Sequence, residues 1–199
     1  GWPADLPTDR PIMYVDDDAA PGGDGASRAT AHRTIADATV LAPEGAVIAV
    51  ATGRYDEAVR VFAGMTIWGA CASGTRLVTS APSETDAALA LVEDGTGARN
   101  LSIDAPARRG IVAGAGSGGS LDAIVIAGAR IVGLSVGGGS VVATDLVVRS
   151  TRETADGTLG RGVNVRTGAQ LALSRALVED SRDVGLFAEG AATSVVATD

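Results

Sequence analysis

The sequence contains no lysine, one cysteine and one histidine among its 199 residues. Its sixteen basic residues are all arginine, and with 24 acidic residues the formal net charge is −8. The absence of lysine excludes Schiff-base and lysine-base chemistry, and the acidic balance argues against nucleic acid as a partner. The lone cysteine, Cys71, excludes an internal disulfide framework. The lone imidazole, His32, excludes a histidine-based metal centre.

Aromatic residues and long apolar runs are also scarce. Aromatics make up 3% of the chain, so the hydrophobic content consists almost entirely of small aliphatic residues, which suit thin repeated layers. No apolar run reaches the roughly 20 residues needed to span a bilayer, so we expect no membrane span. The 27 glycines are spread along the chain and mark many turns between short elements.

One short helix is predicted before a long series of strands. Thr34 is a candidate N-cap, the helix covers residues 36–41, and Pro43 and Gly45 mark its end. From residue 46 onward, short apolar runs separated by glycine-rich or polar turns predict strands; examples are Val47–Val50, Leu89–Val92 and Ile124–Ile126. We therefore divide the chain into an N-terminal strand and helix cap, 1–45, and one continuous set of coils, 46–199.

Internal repetition sets the architecture. A unit of glycine, an aliphatic residue, any residue and then Ala or Val recurs with spacings of 23, 29 and 23 residues, beginning at Gly110, Gly133, Gly162 and Gly185. A second unit runs through residues 118–123, 138–143 and 168–173, and the six letters of 140–145 return at 194–199. This period fits one turn of a β-solenoid, in which stacked coils continue one core. The leucine-rich repeat is the alternative, but its Leu and Asn frame is absent.

The longer spacing of 29 residues predicts an inserted, charged surface loop over 150–161. A second local expectation concerns Cys71, which lies in the apolar segment 66–72. That segment predicts a strand with the thiol buried in the core, because free cysteine behaves as a small hydrophobe.

The N-terminal segment resembles the opening of bacterial right-handed parallel β-helix proteins of the pectate-lyase-like superfamily. The likeness is carried by residues 14–18, 21–25, 29–35 and 43–48, and by the Gly, Tyr and Glu of 53–57. It implies an all-β, right-handed parallel β-helix with a short N-terminal capping helix, in an exported, secreted or cell-surface protein. The position of His32 often holds an aromatic residue in relatives. The paired Asp ligands and nearby base of polysaccharide lyases have no match here, so no catalytic residue is carried over.

Two sets of polar residues are candidate sites. Asp16, Asp18 and Asp24, with Asp17 between them, form an acidic loop that offers the oxygen ligands calcium prefers. The alternative is a solvated turn in which the Asp side chains bond nearby amides. On the inserted loop, Glu153 and Asp156 are a candidate acid and base, and the flanking Arg152 and Arg161 a candidate cationic clamp for an acidic sugar. The alternative is a solvated surface loop without a ligand.

The sequence alone leaves function open between two classes. We expect a non-catalytic surface or secreted solenoid that serves as a scaffold or binds a polysaccharide or another surface protein. The alternative is a polysaccharide lyase-like or hydrolase-like enzyme, or part of one, which a cluster of carboxylates with an arginine along the coils would favour. A purely structural spacer is a third possibility. Because the chain ends at Asp199 within a copied unit, we also expect further sequence or another chain to cover the last coil.

Overall fold

The structure is a computed structural model that describes residues 1–62, 64–83 and 86–199. Within these residues, one α-helix, α1 (Ile35–Leu41), and a 3-10 turn at Arg28–Thr30 accompany seventeen strands. The strands in chain order are β1 Ile12–Val15, β2 Val47–Val50, β3 Gly53–Asp56, β4 Val59–Val61, β5 Thr66–Gly69, β6 Thr75–Val78, β7 Ala87–Leu91, β8 Thr96–Asp104, β9 Arg109–Ala113, β10 Gly118–Ala127, β11 Val132–Gly137, β12 Ser140–Arg149, β13 Arg161–Arg166, β14 Gln170–Ser174, β15 Leu177–Glu179, β16 Leu186–Glu189 and β17 Ser194–Thr198.

The strands stack into three parallel faces around one apolar core. Face 1 runs through β1, β2, β5, the first halves of β8, β10 and β12, and then β14 and β17. Face 2 runs through β3, β6, the second halves of the same three long strands, and β15. Face 3 is formed by β4, β7, β9, β11, β13 and β16. From β2 to β16, each coil contributes one strand segment to each face, which is the predicted parallel β-helix.

The register confirms the first repeat and corrects the second. On face 3, the aliphatic residue of each repeat is the register neighbour of the next, as the spacings of 23, 29 and 23 predict; these residues are Ile111, Leu134, Val163 and Leu186. In the second repeat, Val141 pairs with Gly119 and not with Leu121, so our alignment of 118–123 was two residues out of register. A slip of two residues leaves the same side chains facing inward, so the hydrophobic pattern alone cannot detect it.

Close packing between faces explains the repeated glycine. A Cβ added at Gly133 would lie 2.3 Å from a γ-carbon of Val148, and one added at Gly162 would lie 2.4 Å from a γ-carbon of Val178. A Cβ added at Gly110 would lie 2.6 Å from a γ-carbon of Ile126. The start of each face 3 strand therefore packs directly against a core side chain of face 2, and only glycine fits there.

The corner between faces 1 and 2 is built from residues with left-handed backbone conformation. Asn100, Ala123, Asp145 and Arg175 occupy this corner in successive coils with φ between 51° and 56°. The turn lets the long strands β8, β10 and β12 continue from one face to the next while remaining hydrogen-bonded to their neighbours. Asn and Asp tolerate this conformation better than other non-glycine residues.

The N-terminal cap is held by hydrogen bonds at the start of its helix. The Thr34 hydroxyl accepts a hydrogen bond from the Asp37 backbone N–H, so the N-cap is the one that the sequence predicts, and α1 begins one residue earlier than expected. The Glu57 carboxylate accepts hydrogen bonds from the N–H groups of Ile35 and Ala36, each at 2.8 Å. These contacts tie the first turn of the helix to the first coil. The prediction of a cap over 1–45 stays an interpretation, since β1 also joins the sheet by pairing with β2.

Our prediction of a buried Cys71 is wrong. Strand β5 ends at Gly69, and the Cys71 carbonyl oxygen accepts hydrogen bonds from the N–H groups of Gly74 and Thr75, which closes a turn. The thiol is exposed, and a hydrogen bond with the Ser73 hydroxyl lowers its pKa. The apolar residues of this segment continue beyond Gly69, where the strand ends. Because the residues that follow form a turn, their side chains no longer alternate between the core and the solvent.

Candidate functional site

The acidic loop predicted as a calcium site is only partly assembled. Oxygen atoms of Asp16, Asp17 and Asp18 lie within 4.8 Å of one another. Asp24 is not part of this group: its carboxylate accepts hydrogen bonds from the Thr30 hydroxyl at 2.6 Å and the Ala26 N–H at 3.0 Å, which lower its pKa. The structure therefore groups Asp17 with Asp16 and Asp18 in place of Asp24, and calcium binding stays a prediction.

The four residues predicted on the inserted loop do not form one site, because Asp156 and Arg161 are engaged by other groups. Asp156 accepts hydrogen bonds from the hydroxyls of Thr154 and Thr158, which lower its pKa and hold the loop's own turn. Arg161 belongs to face 3, where its guanidinium carbon lies 3.6 Å from the centroid of the Phe187 ring. Its side chain also contacts Asp183 at 3.2 Å, so its charge is already paired.

The other two predicted loop residues lie together at the edge of face 2. Glu153 and Arg152 line a cavity of about 390 Å³. Glu153 also lies 3.9 Å from Arg182. Arg152 in addition lines a neighbouring cavity on the outer surface of face 2. The structure thus connects this part of the predicted loop with a larger surface that the sequence did not reveal.

That surface is an arginine trough, defined by Arg54, Arg76, Arg149 and Arg152. Two adjoining cavities, of about 430 and 400 Å³, share Arg76, and together they are lined by all four arginines. Between the arginines the floor is made of small side chains; it includes Ser102, Val125, Ala127 and Gly128. Because the coils stack about 4.8 Å apart, the four coil steps from β3 to β12 give the trough a length of roughly 19 Å.

Positive charge exceeds negative charge in the trough. Arg54 lies 3.4 Å from Asp56, and Arg76 forms an ion pair with Asp104. Within the described residues, no carboxylate lies within 4 Å of Arg149 or Arg152, although Glu179 is the register neighbour of Arg149 on β15. Four guanidinium groups therefore face two paired carboxylates, on a protein whose net charge is −8. A groove of this kind attracts anionic ligands.

The sequence did not indicate this trough because no local motif links its residues. Arg54 lies on β3 and Arg149 at the end of β12, and only the stacking of five coils brings them to one surface. The strand register does contain one indication of the trough, because Arg54 and Arg76 occupy equivalent positions in adjacent coils. A repeat alignment with the correct register would have placed them side by side.

A second group of charged residues lies on the outer surface of face 1 and its corner with face 2. Asp122 lies 3.2 Å from Arg99. The Arg175 guanidinium donates two hydrogen bonds to the two carboxylate oxygens of Asp145, at 2.7 and 2.8 Å. The contact with Arg175 lowers the pKa of Asp145. The hydrogen bonds and charge of Asp145, and to a smaller extent the charge of Asp122, raise the pKa of Arg175. Two carboxylates on adjacent coils thus share the environment of one guanidinium.

Comparison with solved structures identifies the fold. Pectin methylesterase PemA from Erwinia chrysanthemi superimposes with a TM-score of 0.58 at 16% identity, over 81% of this chain and 54% of that protein. A pectin methylesterase bound to a hexasaccharide gives 0.51 at 13% identity, over 90% and 67%. Pectin methylesterase from carrot gives 0.52 at 15% identity, over 98% and 90%. The chain spans about half the length of the first of these.

These similarities establish the predicted right-handed parallel β-helix fold. At 13 to 16% identity they establish the fold alone. No protein-family model and no curated protein matches the sequence. Within the described residues, no helix has the length and apolar character required to cross a membrane.

Proposed function

Starting from a fold shared with carbohydrate-active enzymes, we propose that this protein binds an acidic polysaccharide along the arginine trough of face 2. The observation that carries the proposal is a pair of guanidinium groups, Arg149 and Arg152, at one end of a groove with a floor of small residues. In the described part of the chain neither has a carboxylate within 4 Å. Guanidinium groups bind carboxylates through paired, charge-assisted hydrogen bonds. The small, partly apolar floor leaves room for the C–H faces of sugar rings.

The direction of the groove supports a polymer as the ligand. The trough runs across successive coils, so equivalent positions recur about every 4.8 Å along it. An extended chain with a carboxylate on each sugar presents repeated negative charges to these positions. A location at the cell surface or outside the cell, where such polymers occur, is part of the proposal.

Binding of polygalacturonate, measured by isothermal titration calorimetry, tests the proposal directly. We expect the double variant Arg149→Ala/Arg152→Ala to bind about tenfold or more weakly, because each guanidinium–carboxylate contact contributes about 1 kcal/mol or more. The matched control is Arg60→Ala/Arg166→Ala, which removes the same charge from exposed positions on face 3. Neutral dextran should not bind.

Two results would overturn the proposal. One is the absence of polygalacturonate binding at low salt. The other is an equal loss of affinity in the control pair, which would mean that the polymer responds to total charge and not to the trough. Increasing ionic strength should weaken the specific binding as well, since exposed charges are screened over about 10 Å at 0.1 M salt.

Hydrolysis of a carbohydrate ester is a second candidate function, favoured by Asp122 and Asp145 on adjacent coils beside Arg175. In that reaction a carboxylate takes a proton from water, the water oxygen attacks the ester carbonyl carbon, and the bond to the methoxy oxygen breaks. Methanol leaves with the transferred proton. The guanidinium would stabilise the negative charge that develops on the carbonyl oxygen.

Methanol release from methyl-esterified polygalacturonate measures this activity. We expect Asp122→Asn and Asp145→Asn each to reduce the rate by a hundredfold or more, on the order of the contribution of general acid–base catalysis. Asp9→Asn, an exposed substitution outside both surfaces, is the control. If the unmodified protein releases no methanol, the enzymatic candidate is rejected while the binding proposal stands.

A further inference from the structure

Another cavity lies where the trough meets the N-terminal cap. It has a volume of about 750 Å³, and its walls come from the cap segment 17–41 on one side and from β3 and Glu57 on the other. Arg54 lines both this cavity and the trough. The two spaces therefore meet at one guanidinium group.

The cap closes the trough at this end. On face 2, β3 is the first strand, and within the described residues it pairs only with β6. The position that a preceding coil would occupy is taken by the cap segment, whose Asp17 accepts a hydrogen bond from the Arg54 backbone N–H at 2.8 Å. A chain lying in the trough consequently meets a wall beyond Arg54.

The charge of the cavity differs from that of the trough. Its lining includes four carboxylates and two guanidinium groups. Three of the carboxylates are engaged by protein donors: Glu57 by the first turn of α1, Asp56 by Ser80 and Arg54, and Asp17 by the Arg54 backbone N–H. Within the described residues, the side chains of Asp37 and Arg33 have no hydrogen-bond or ion-pair partner. One free acceptor and one free donor thus line this cavity.

We infer that the cavity receives the terminal sugar of the polysaccharide, so that the protein recognises chain ends. The inference rests on the proposed function of the trough. A terminal sugar carries a hydroxyl group that is absent from internal sugars, where that oxygen forms the glycosidic bond. This hydroxyl donates to the Asp37 carboxylate, and Arg33 donates to a ring or hydroxyl oxygen. The exposed Leu41 side chain at the rim contacts the C–H face of the sugar.

Chain length distinguishes binding at ends from binding along the polymer. Polygalacturonate is partially hydrolysed to a series of average lengths, and the binding capacity is measured at a fixed total concentration of sugar. We expect capacity to rise in proportion to the number of chains, by about tenfold when the average length falls by about tenfold. A capacity that follows total sugar, whatever the length, would overturn the inference.

A matched pair of variants tests the cavity itself. Asp37→Asn should bind a fully methyl-esterified galacturonate trisaccharide about fivefold more weakly, because the neutral amide is a poorer acceptor for the sugar hydroxyl and the esterified ligand carries no charge that the Asp37 carboxylate would repel. Asp9→Asn should bind it as the unmodified protein does. Equal affinity of the two variants would contradict a role for Asp37, and thermal unfolding of both verifies that they are folded.

The two proposals fail in different ways. If Arg149→Ala/Arg152→Ala weakens binding of the polymer but chain length has no effect, the trough binds polysaccharide and the end-recognition inference alone is wrong. If no form of polygalacturonate binds, the proposed function is wrong and the inference falls with it.

Discussion

The guanidinium carbon of Arg99 lies 4.0 Å from the centroid of the Trp68 ring in the preceding coil. The two residues are register neighbours on β5 and β8, and Arg99 also reaches Asp122 on the next coil at 3.2 Å. One side chain therefore links three consecutive coils on the outer surface of face 1. Such contacts add to backbone hydrogen bonds in holding the stack together.

Removing this link should destabilise the coil stack moderately. We expect Arg99→Ala to lower the free energy of unfolding by about 1 kcal/mol, from the cation–π contact and a largely solvent-screened ion pair. Urea denaturation measures the change. Arg60→Ala removes an exposed arginine without such contacts and should alter stability little; an equal loss there would show that the linkage is unimportant.

The glycine at the start of each face 3 strand gives a second prediction. Gly133→Ala places a methyl group 2.3 Å from a γ-carbon of Val148 and 2.7 Å from the Gly162 carbonyl oxygen. Overpacking of this kind should lower the free energy of unfolding by about 1 to 3 kcal/mol.

Two further variants check the cause of that loss. Adding Val148→Ala to Gly133→Ala should cost less than the sum of the two single changes, because the shortened side chain frees the space. Gly114→Ala, where nothing lies within 4 Å of the added carbon, should be nearly neutral. Strict additivity in the double variant would contradict the steric explanation.

Strain at the corner between faces 1 and 2 offers a stabilising change. Ala123 has a φ of 52°, a conformation that costs an L-residue about 1 to 2 kcal/mol. Asn100 holds the equivalent position one coil earlier, and asparagine tolerates this conformation. We expect Ala123→Asn to raise the free energy of unfolding by about 0.5 to 1 kcal/mol, measured by urea denaturation. Ala172→Asn, within β14 and outside the corner residues, should give no gain.

The carboxylate of Glu57 should give the protein a distinctive pH dependence. Burial raises its pKa above the usual value of 4.5, so the folded state binds this proton more tightly than the unfolded state does. The contribution of Glu57 to stability is therefore fully present below pH 4.5 and declines as the pH rises through the raised pKa.

Glu57→Gln isolates this effect. The amide retains one acceptor for the two N–H groups of Ile35 and Ala36, so we expect a loss of about 1 to 3 kcal/mol at low pH. Because glutamine does not titrate, the difference in unfolding free energy between the two proteins should narrow as the pH rises above 4.5. A difference that stays constant from pH 4 to 7 would mean that the pKa of Glu57 is not raised.

Local chemistry made the cap and the repeat predictable. Thr34, Pro43 and Gly45 mark the ends of the helix because capping and helix termination depend on a few neighbouring residues. The glycine and aliphatic repeat predicts the solenoid because each coil has to bury the same inward face. Where a turn ends a strand within an apolar run, as before Cys71, the same pattern misleads.

The sequence by itself determined the period of the coils, the faces that point inward and the chemistry of the cap, since all of these follow from contacts between residues near in the chain or one repeat apart. Tertiary structure alone decided which charged side chains share a surface. It separated Asp156 and Arg161 from Arg152, placed Arg54 and Arg149 in one trough, and closed that trough with the cap. The reason is physical: outward positions carry no hydrophobic periodicity, and stacking joins residues that are several coils apart in sequence.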